Sequence, residues 1–383
     1  MTRLFGLDAL RGVAALCVAY SHLIAKMKRD GHFDEMTSSL FLVSKAVLDV
    51  GKTSVLVLFA LSGYVVVSAL YKSRHRYERP IAAFVYQRFF RLFPLYWLSL
   101  FLGVMFPWDD PDKVFAPAVI AINATMLQGF VFVENVIGLY WTLQIEITFY
   151  LVCIAIFALR LGGSAKRDLL FLLAQYLFTL VLAFQRYQLE IKLPVALPLM
   201  LSVCFLGALW RSTDNGRSPD GGQYARLAVG LFYLFLLPIC VFAYSRDTGL
   251  GESWYRYFVS YAVGVAIFLA ATRISGEKLR WLAPLGGVGY IVFLTHPTVF
   301  AIAERLGFGA GNLFISGPLY IAVMLIVLTL FGFLVKRILA DPIQRYGDVV
   351  VNRRGRRVNE RIVVPARQAA GAGWLRGGPA RLD

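Results

Sequence analysis

The chain has 383 residues, 39 Lys+Arg against 23 Asp+Glu, 58% apolar and only 16% charged side chains, with a mean hydropathy of +0.64. Soluble domains carry about 25% charged and 45–50% apolar residues, so a water-soluble enzyme, a disordered chain and a disulfide-stapled secreted domain are excluded. The net charge of +16 lies in short loops between apolar runs and in the tail, as in a membrane protein, and offers no polar face for nucleic acid.

A membrane-crossing helix needs about 20 mostly apolar residues. Taken in chain order, such runs cover 8–26, 50–71, 93–107, 139–159, 168–186, 194–210, 227–245, 255–272, 284–302 and 316–337, with an eleventh apolar stretch at 114–133. Asp8 and Arg11 interrupt the first run, which continues to full length, so no cleavable signal is expected. The loops 72–80, 160–167, 211–226 and 273–281 and the stretch after Lys336 are basic and should face the cytoplasm, whereas the acidic 107–112 should lie outside. On that parity 114–133 starts and ends on one side. Its Pro117, Asn123, Thr125 and Gln128 suit a re-entrant or interfacial segment lining a cavity; an eleven-helix count needs one basic loop to break the rule.

The expected fold is therefore an all-α polytopic bundle of about ten transmembrane helices, with both termini cytoplasmic. Residues 1–344 form the transmembrane domain. Residues 345–383, with nine arginines among Gly and Ala, read as a disordered basic tail lying against anionic lipid headgroups. Cys17, Cys153, Cys204 and Cys240 each sit in an apolar run without metal or redox spacing and read as small core residues. No metal is expected.

Ionisable groups inside spans are costly and so mark function. Four stand out: Arg11 and His22 in the first span, Glu146 in the fourth and His296 in the ninth. Eleven positions at ~100° each bring Arg11 and His22 to within about 20° of one direction, with His22 about 16 Å further along. Asp8 lies three residues before Arg11, placed to pair with it. Arg11 reads equally well as a snorkelling anchor, and a buried histidine satisfied by a carbonyl is the plain alternative for His22. Counted along their helices, His22, Glu146 and His296 reach similar depth, with Ser62 of FALSGY near the same level. A histidine beside a carboxylate is the usual apparatus of general base catalysis. In FVYQRFFRLFPLYW, Arg88 and Arg91 neighbour each other on one helical face, and Pro94 is expected to end that helix and open the next span. Two such guanidiniums make a phosphate clamp or hold lipid headgroups, and composition does not separate the two.

Taken together, these residues resemble the acyltransferase-3 family of integral membrane O-acyltransferases. LDALRGVAALCVAYSHL is similar to the family's first helix, with its Arg-x10-His element met by Arg11 and His22. FALSGYVV resembles the second-helix signature, RFFRLFPLYW the Arg-x-x-Arg element, WTLQIEITFYL the Trp-x-Leu-x-x-Glu pattern through Glu146, and GGVGYIVFLTHP the late Gly-x-x-Tyr…His helix. Asp341-Pro342 stands where a Glu-x-Pro-like ending is common, and no role is assigned to it; no appended esterase-like domain is expected. The resemblance implies transfer of an acyl group, usually acetyl, from cytoplasmic acyl-CoA to a hydroxyl of a cell-surface or lipid-linked glycan. The setting would be the bacterial inner membrane, beside polysaccharide-assembly machinery. On this reading Arg88 and Arg91, helped by Arg11, hold the phosphates of acyl-CoA. His22, made more basic by a carboxylate such as Glu146, takes the hydroxyl proton, and His296 or Ser62 steadies the oxyanion. Intramembrane His and Glu also suit a proton-coupled transporter or flippase, although no internal repeat is seen; a membrane scaffold is the third reading.

Overall fold

The computed structural model describes residues 5–32, 34–108, 110–214, 221–247, 252–274, 276–311 and 315–355. Among them there is no strand. Thirteen α-helices follow in order: α1 Phe5–Arg29, α2 Glu35–Lys45, α3 Val50–Arg76, α4 Pro80–Met105, α5 Pro117–Asn123, α6 Trp141–Ala158, α7 Ala165–Leu189, α8 Ala196–Asp214, α9 Gly221–Tyr244, α10 Trp254–Ala271, α11 Ala283–Ala303, α12 Gly317–Val335 and α13 Asp341–Gly355. Nine of the described helices are long and apolar enough to cross a membrane, and α8 adds a shorter apolar segment, Ala196–Ser212. All ten match expected spans. Membrane spans take this form because lipid offers no partner for backbone N–H and C=O groups, which a helix satisfies within itself.

The 114–133 stretch does not cross. It contains only the seven-residue α5 and a single 3-10 turn at Gln128–Val131, and seven residues rise only about 10 Å. Asn123 and Gln128 are fully buried, and they knit this segment. Asn123 donates to the carbonyls of Val119 and Glu134 and accepts from the amide of Val136, and Gln128 donates to Asn135. Tyr96 and Trp97 of α4 donate to the carbonyls of Asn123 and Ala124 and tie the segment to the bundle.

Two further expectations are corrected. Pro94 does not end a helix: α4 runs unbroken from Pro80 to Met105 with Pro94 inside it. Proline removes one backbone bond, but ending the helix inside an apolar bundle would strand several more, so the helix continues. Residues 345–355 are not tail-like. They belong to α13, which lies on α4, with Tyr346 edge-on to Phe90, Gly347 against the Phe90 ring, and Val351 buried beside Tyr77 and Ala83. The arginine-rich composition hides this apolar stripe; the remainder of the expected tail, 356–383, lies outside the described residues.

Small residues set the helix crossings that matter most. A Cβ on Gly12 would meet Leu285 and Gly286, one on Gly286 would overlap the backbone of Asp8, and one on Gly289 would come within 3.3 Å of the Arg11 carbonyl. The backbones of α1 and α11 therefore touch, as small-residue membrane crossings allow. Ten residues beyond Gly12 is His22, and ten beyond Gly286 is His296. Two parallel helices in contact at the glycines thus carry both histidines to the same height. Residues 291–301 of α11 are buried all round, which makes α11 the central helix.

At the other end of α3, Asp49 caps the helix by accepting from the Lys52 amide and pairs with Lys45 and Lys52. Burial disfavours its charge, yet the two ammonium groups hold the carboxyl at about 2. Its stabilisation is complete above the unfolded carboxylate value and is lost only as pH falls through about 2.

The α1–α11 crossing yields a stability prediction. Gly286→Val is expected to destabilise the protein by about 1–3 kcal/mol, read as a lower unfolding temperature in detergent. Gly230→Ala on α9, where a Cβ meets nothing within 4 Å, should leave that temperature unchanged or raise it.

Candidate active site

The α1–α11 contact brings His22 and His296 together. His22 Nδ1 and His296 Nε2 are 2.9 Å apart, with ring centroids 5.0 Å apart. His296 Nδ1 is 2.9 Å from the carbonyl oxygen of Phe293, one turn back on the same helix. A carbonyl only accepts, so His296 Nδ1 carries its proton and, in the neutral ring, Nε2 is the acceptor. His22 must then donate through Nδ1–H, and its Nε2 is left as the basic nitrogen. Hydrogen bonding alone thus fixes both tautomers. His296 is fully buried, whereas His22 is exposed and lines a cavity.

That cavity opens toward the C-terminal end of α1. Its walls include Lys26, Trp108, Trp141 and Pro297. Lys26 is held by Asp30 at 2.8 Å and Glu304 at 3.1 Å and lies 5.2 Å from the Trp108 ring centre, which fixes this cation and aromatic side by side.

A second cavity lies toward the N-terminal end of α1. It gathers Arg11, Ser62, Arg88, Arg91, Glu146 and Tyr290. Tyr150 donates to the Glu146 carboxylate. The Arg88 guanidinium lies over the rings of Phe84 and Tyr150, at 5.1 and 5.5 Å, and its Nε is buried with no hydrogen-bond partner. Arg11 pairs with Asp8 at 3.4 Å, as expected from their spacing. Three guanidiniums against one carboxylate leave the chamber positive, the condition for holding an anionic ligand.

Val55, Thr142 and Phe293 line both cavities, so the two chambers adjoin through a shared wall. Six of the seven residues singled out from the sequence line this pair of chambers, and His296 lies buried behind His22, but they are not partnered as expected. Glu146 belongs with the arginines and Tyr150, and the partner of His22 is an imidazole. His296 does not serve as an oxyanion donor, because its one N–H is committed to Phe293 and its other nitrogen accepts from His22. The sequence reasoning missed Tyr150, four residues after Glu146, and Trp108 of the outer wall, and it had Trp141 only as the first residue of the Trp-x-Leu-x-x-Glu pattern. It also missed the pairing of the histidines, for which the equal Gly-to-His offsets in two helices were the available signal.

A family model described as an acyltransferase domain, acyltransferase-3, matches residues 4–337. No curated protein and no solved structure matches the chain.

Proposed function

The chain belongs to the acyltransferase-3 family and is a membrane acyltransferase, and we propose that it moves an acyl group, acetyl by preference, from cytoplasmic acyl-CoA to a hydroxyl of a cell-surface or lipid-linked glycan. The observation that carries this reading is the His22–His296 pair, with His22 on the wall of an aromatic-lined chamber that adjoins a cationic one. The basic loops support a cytoplasmic N-terminal end of α1, and on that orientation the guanidinium chamber opens inward and the His22 chamber outward. The bacterial inner membrane is the corresponding setting.

Arg88, Arg91 and Arg11 offer fork-shaped donors to the donor's phosphates, and Glu146 with Tyr150 holds that set in place. The acyl thioester then lies at the shared wall. His22 Nε2 takes the proton of the acceptor hydroxyl as its oxygen bonds to the thioester carbonyl carbon. The C–S bond breaks, and His22 returns the proton to the departing thiolate, giving the ester and free CoA thiol. Throughout, His22 keeps its Nδ1–H bond to His296, which steadies the imidazolium and holds the ring's orientation, a role a carboxylate plays in serine hydrolases. Ser62, on the wall of the donor chamber, is the hydroxyl available to the oxyanion. Trp108 and Trp141 give an apolar face on which a sugar ring stacks, beside the polar edge of Lys26.

Vesicles carrying the protein, given acyl-CoA and a glycan acceptor, are expected to form a base-labile ester visible by NMR and removed by mild base. His22→Ala should lower the rate by about 10²–10⁴-fold while the protein still inserts; normal acylation in that variant overturns the mechanism. His296→Ala is expected to cost about 10²-fold through loss of orientation, and His296→Asn, which keeps an acceptor for His22 Nδ1–H, to restore part of it. Replacing Arg88 and Arg91 by Ala should raise KM for acyl-CoA by about tenfold per guanidinium and leave KM for the acceptor little changed. If acyl-CoA binding is unaffected in the double variant, the clamp role is wrong.

A further inference from the structure

Lys336 and Asp341 face a third cavity at the same end of the bundle as the guanidinium chamber. Its walls are Asp8 and Arg11 of α1, Arg91 of α4, Gly286, Gly287 and Tyr290 of α11, and Lys336, Asp341 and Gln344 of the α12–α13 junction. Arg11, Arg91 and Tyr290 also line the guanidinium chamber, so this third cavity is its vestibule. Lys336 lies across the bare face of Gly287, where a Cβ would stand 3.2 Å from its stem, and its Nζ sits 2.6 and 2.7 Å from the two oxygens of Asp341. Both partners are about one-third exposed. The junction itself is a π-helical turn, Lys336–Ala340, a rare geometry that recurs at functional sites.

We infer that this vestibule is a phosphate site in which Lys336 is the ligand and Asp341 its resting counter-ion. A part-exposed ammonium–carboxylate pair is weak and exchanges readily, and a dianionic phosphate competes well for Nζ. Two cations of the vestibule, Arg11 and Arg91, are shared with the inner chamber, whereas Lys336 is not. One molecule with two separated phosphate groups therefore spans the two spaces, its diphosphate on the shared guanidiniums and its second phosphate on Lys336. Under the donor reading above, on which this inference rests, that second group is the 3′-phosphate of acyl-CoA. This gives Asp341-Pro342 a function: the aspartate parks the lysine, and the proline, which has no backbone N–H to bond back, stands just past the π-helical turn.

The test compares acetyl-CoA with acetyl-3′-dephospho-CoA in vesicles of fixed lipid composition. Lys336→Met should raise KM for acetyl-CoA by about tenfold, more than it lowers kcat, without further raising KM for the dephospho donor. Lys336→Arg should keep the preference for the 3′-phosphate, and Asp341→Asn should lower KM for acetyl-CoA. Equal KM shifts for both donors, or none, overturn the inference. So does a Lys336→Met effect that appears only as a changed dependence on anionic lipid, because the vestibule would then hold a headgroup. Calorimetric titration with CoA and 3′-dephospho-CoA separates this failure from failure of the donor reading. Tighter, Lys336-dependent binding of CoA sustains the phosphate site even if acyl transfer is absent, and equal binding of both sinks it.

Discussion

Two imidazoles persist in the middle of this apolar bundle because the direct bond between them and the Phe293 carbonyl fix where their protons sit. An unsatisfied ring nitrogen at that depth would be costly. The arrangement spends the N–H of His296 on its own helix and the Nδ1–H of His22 on His296. In the neutral pair the lone pair of His22 falls on Nε2, on the residue that borders open space. The geometry depends in turn on α1 and α11 touching at Gly12, Gly286 and Gly289, since a thicker seam would separate the rings beyond hydrogen-bond reach.

From that seam the rest of the architecture follows. The central helix α11 is enclosed, so polar functions cluster where neighbouring helices leave gaps along it. One gap collects guanidiniums from α1 and α4 with the carboxylate of α6, and the next collects tryptophans and the ammonium group of Lys26. Charge is thereby sorted along the bundle axis, with an anion-attracting space toward the N-terminal end of α1 and an aromatic one, bordered by His22, toward its C-terminal end.

Much of this was legible in the sequence, for a definite physical reason. Whether a segment of about 20 residues prefers lipid is a local property, so the ten apolar runs read correctly, as did the failure of 114–133 to cross. The misplaced charges Arg11, His22, Arg88, Arg91, Glu146 and His296 stood out for the same reason. What local reading lacked was azimuth. Counting along a helix gives the height of Glu146 but not the direction it faces, so it was assigned to the histidine when it serves the arginines. Pro94 misled because its rule is calibrated in water, where a broken helix finds other partners. α13 was hidden because Tyr346, Gly347 and Val351 form a stripe only when folded against α4, and their arginine neighbours dominate any average over the window.

The seating of α13 on α4 has a mechanical meaning. The helix that bears Arg88 and Arg91 is gripped from outside the membrane-spanning part by α13, through Phe90 between them. Whatever pulls on or docks against α13 thus shares a lever with the guanidinium pair, and the far end of the polypeptide becomes a handle on the grip of the inner chamber.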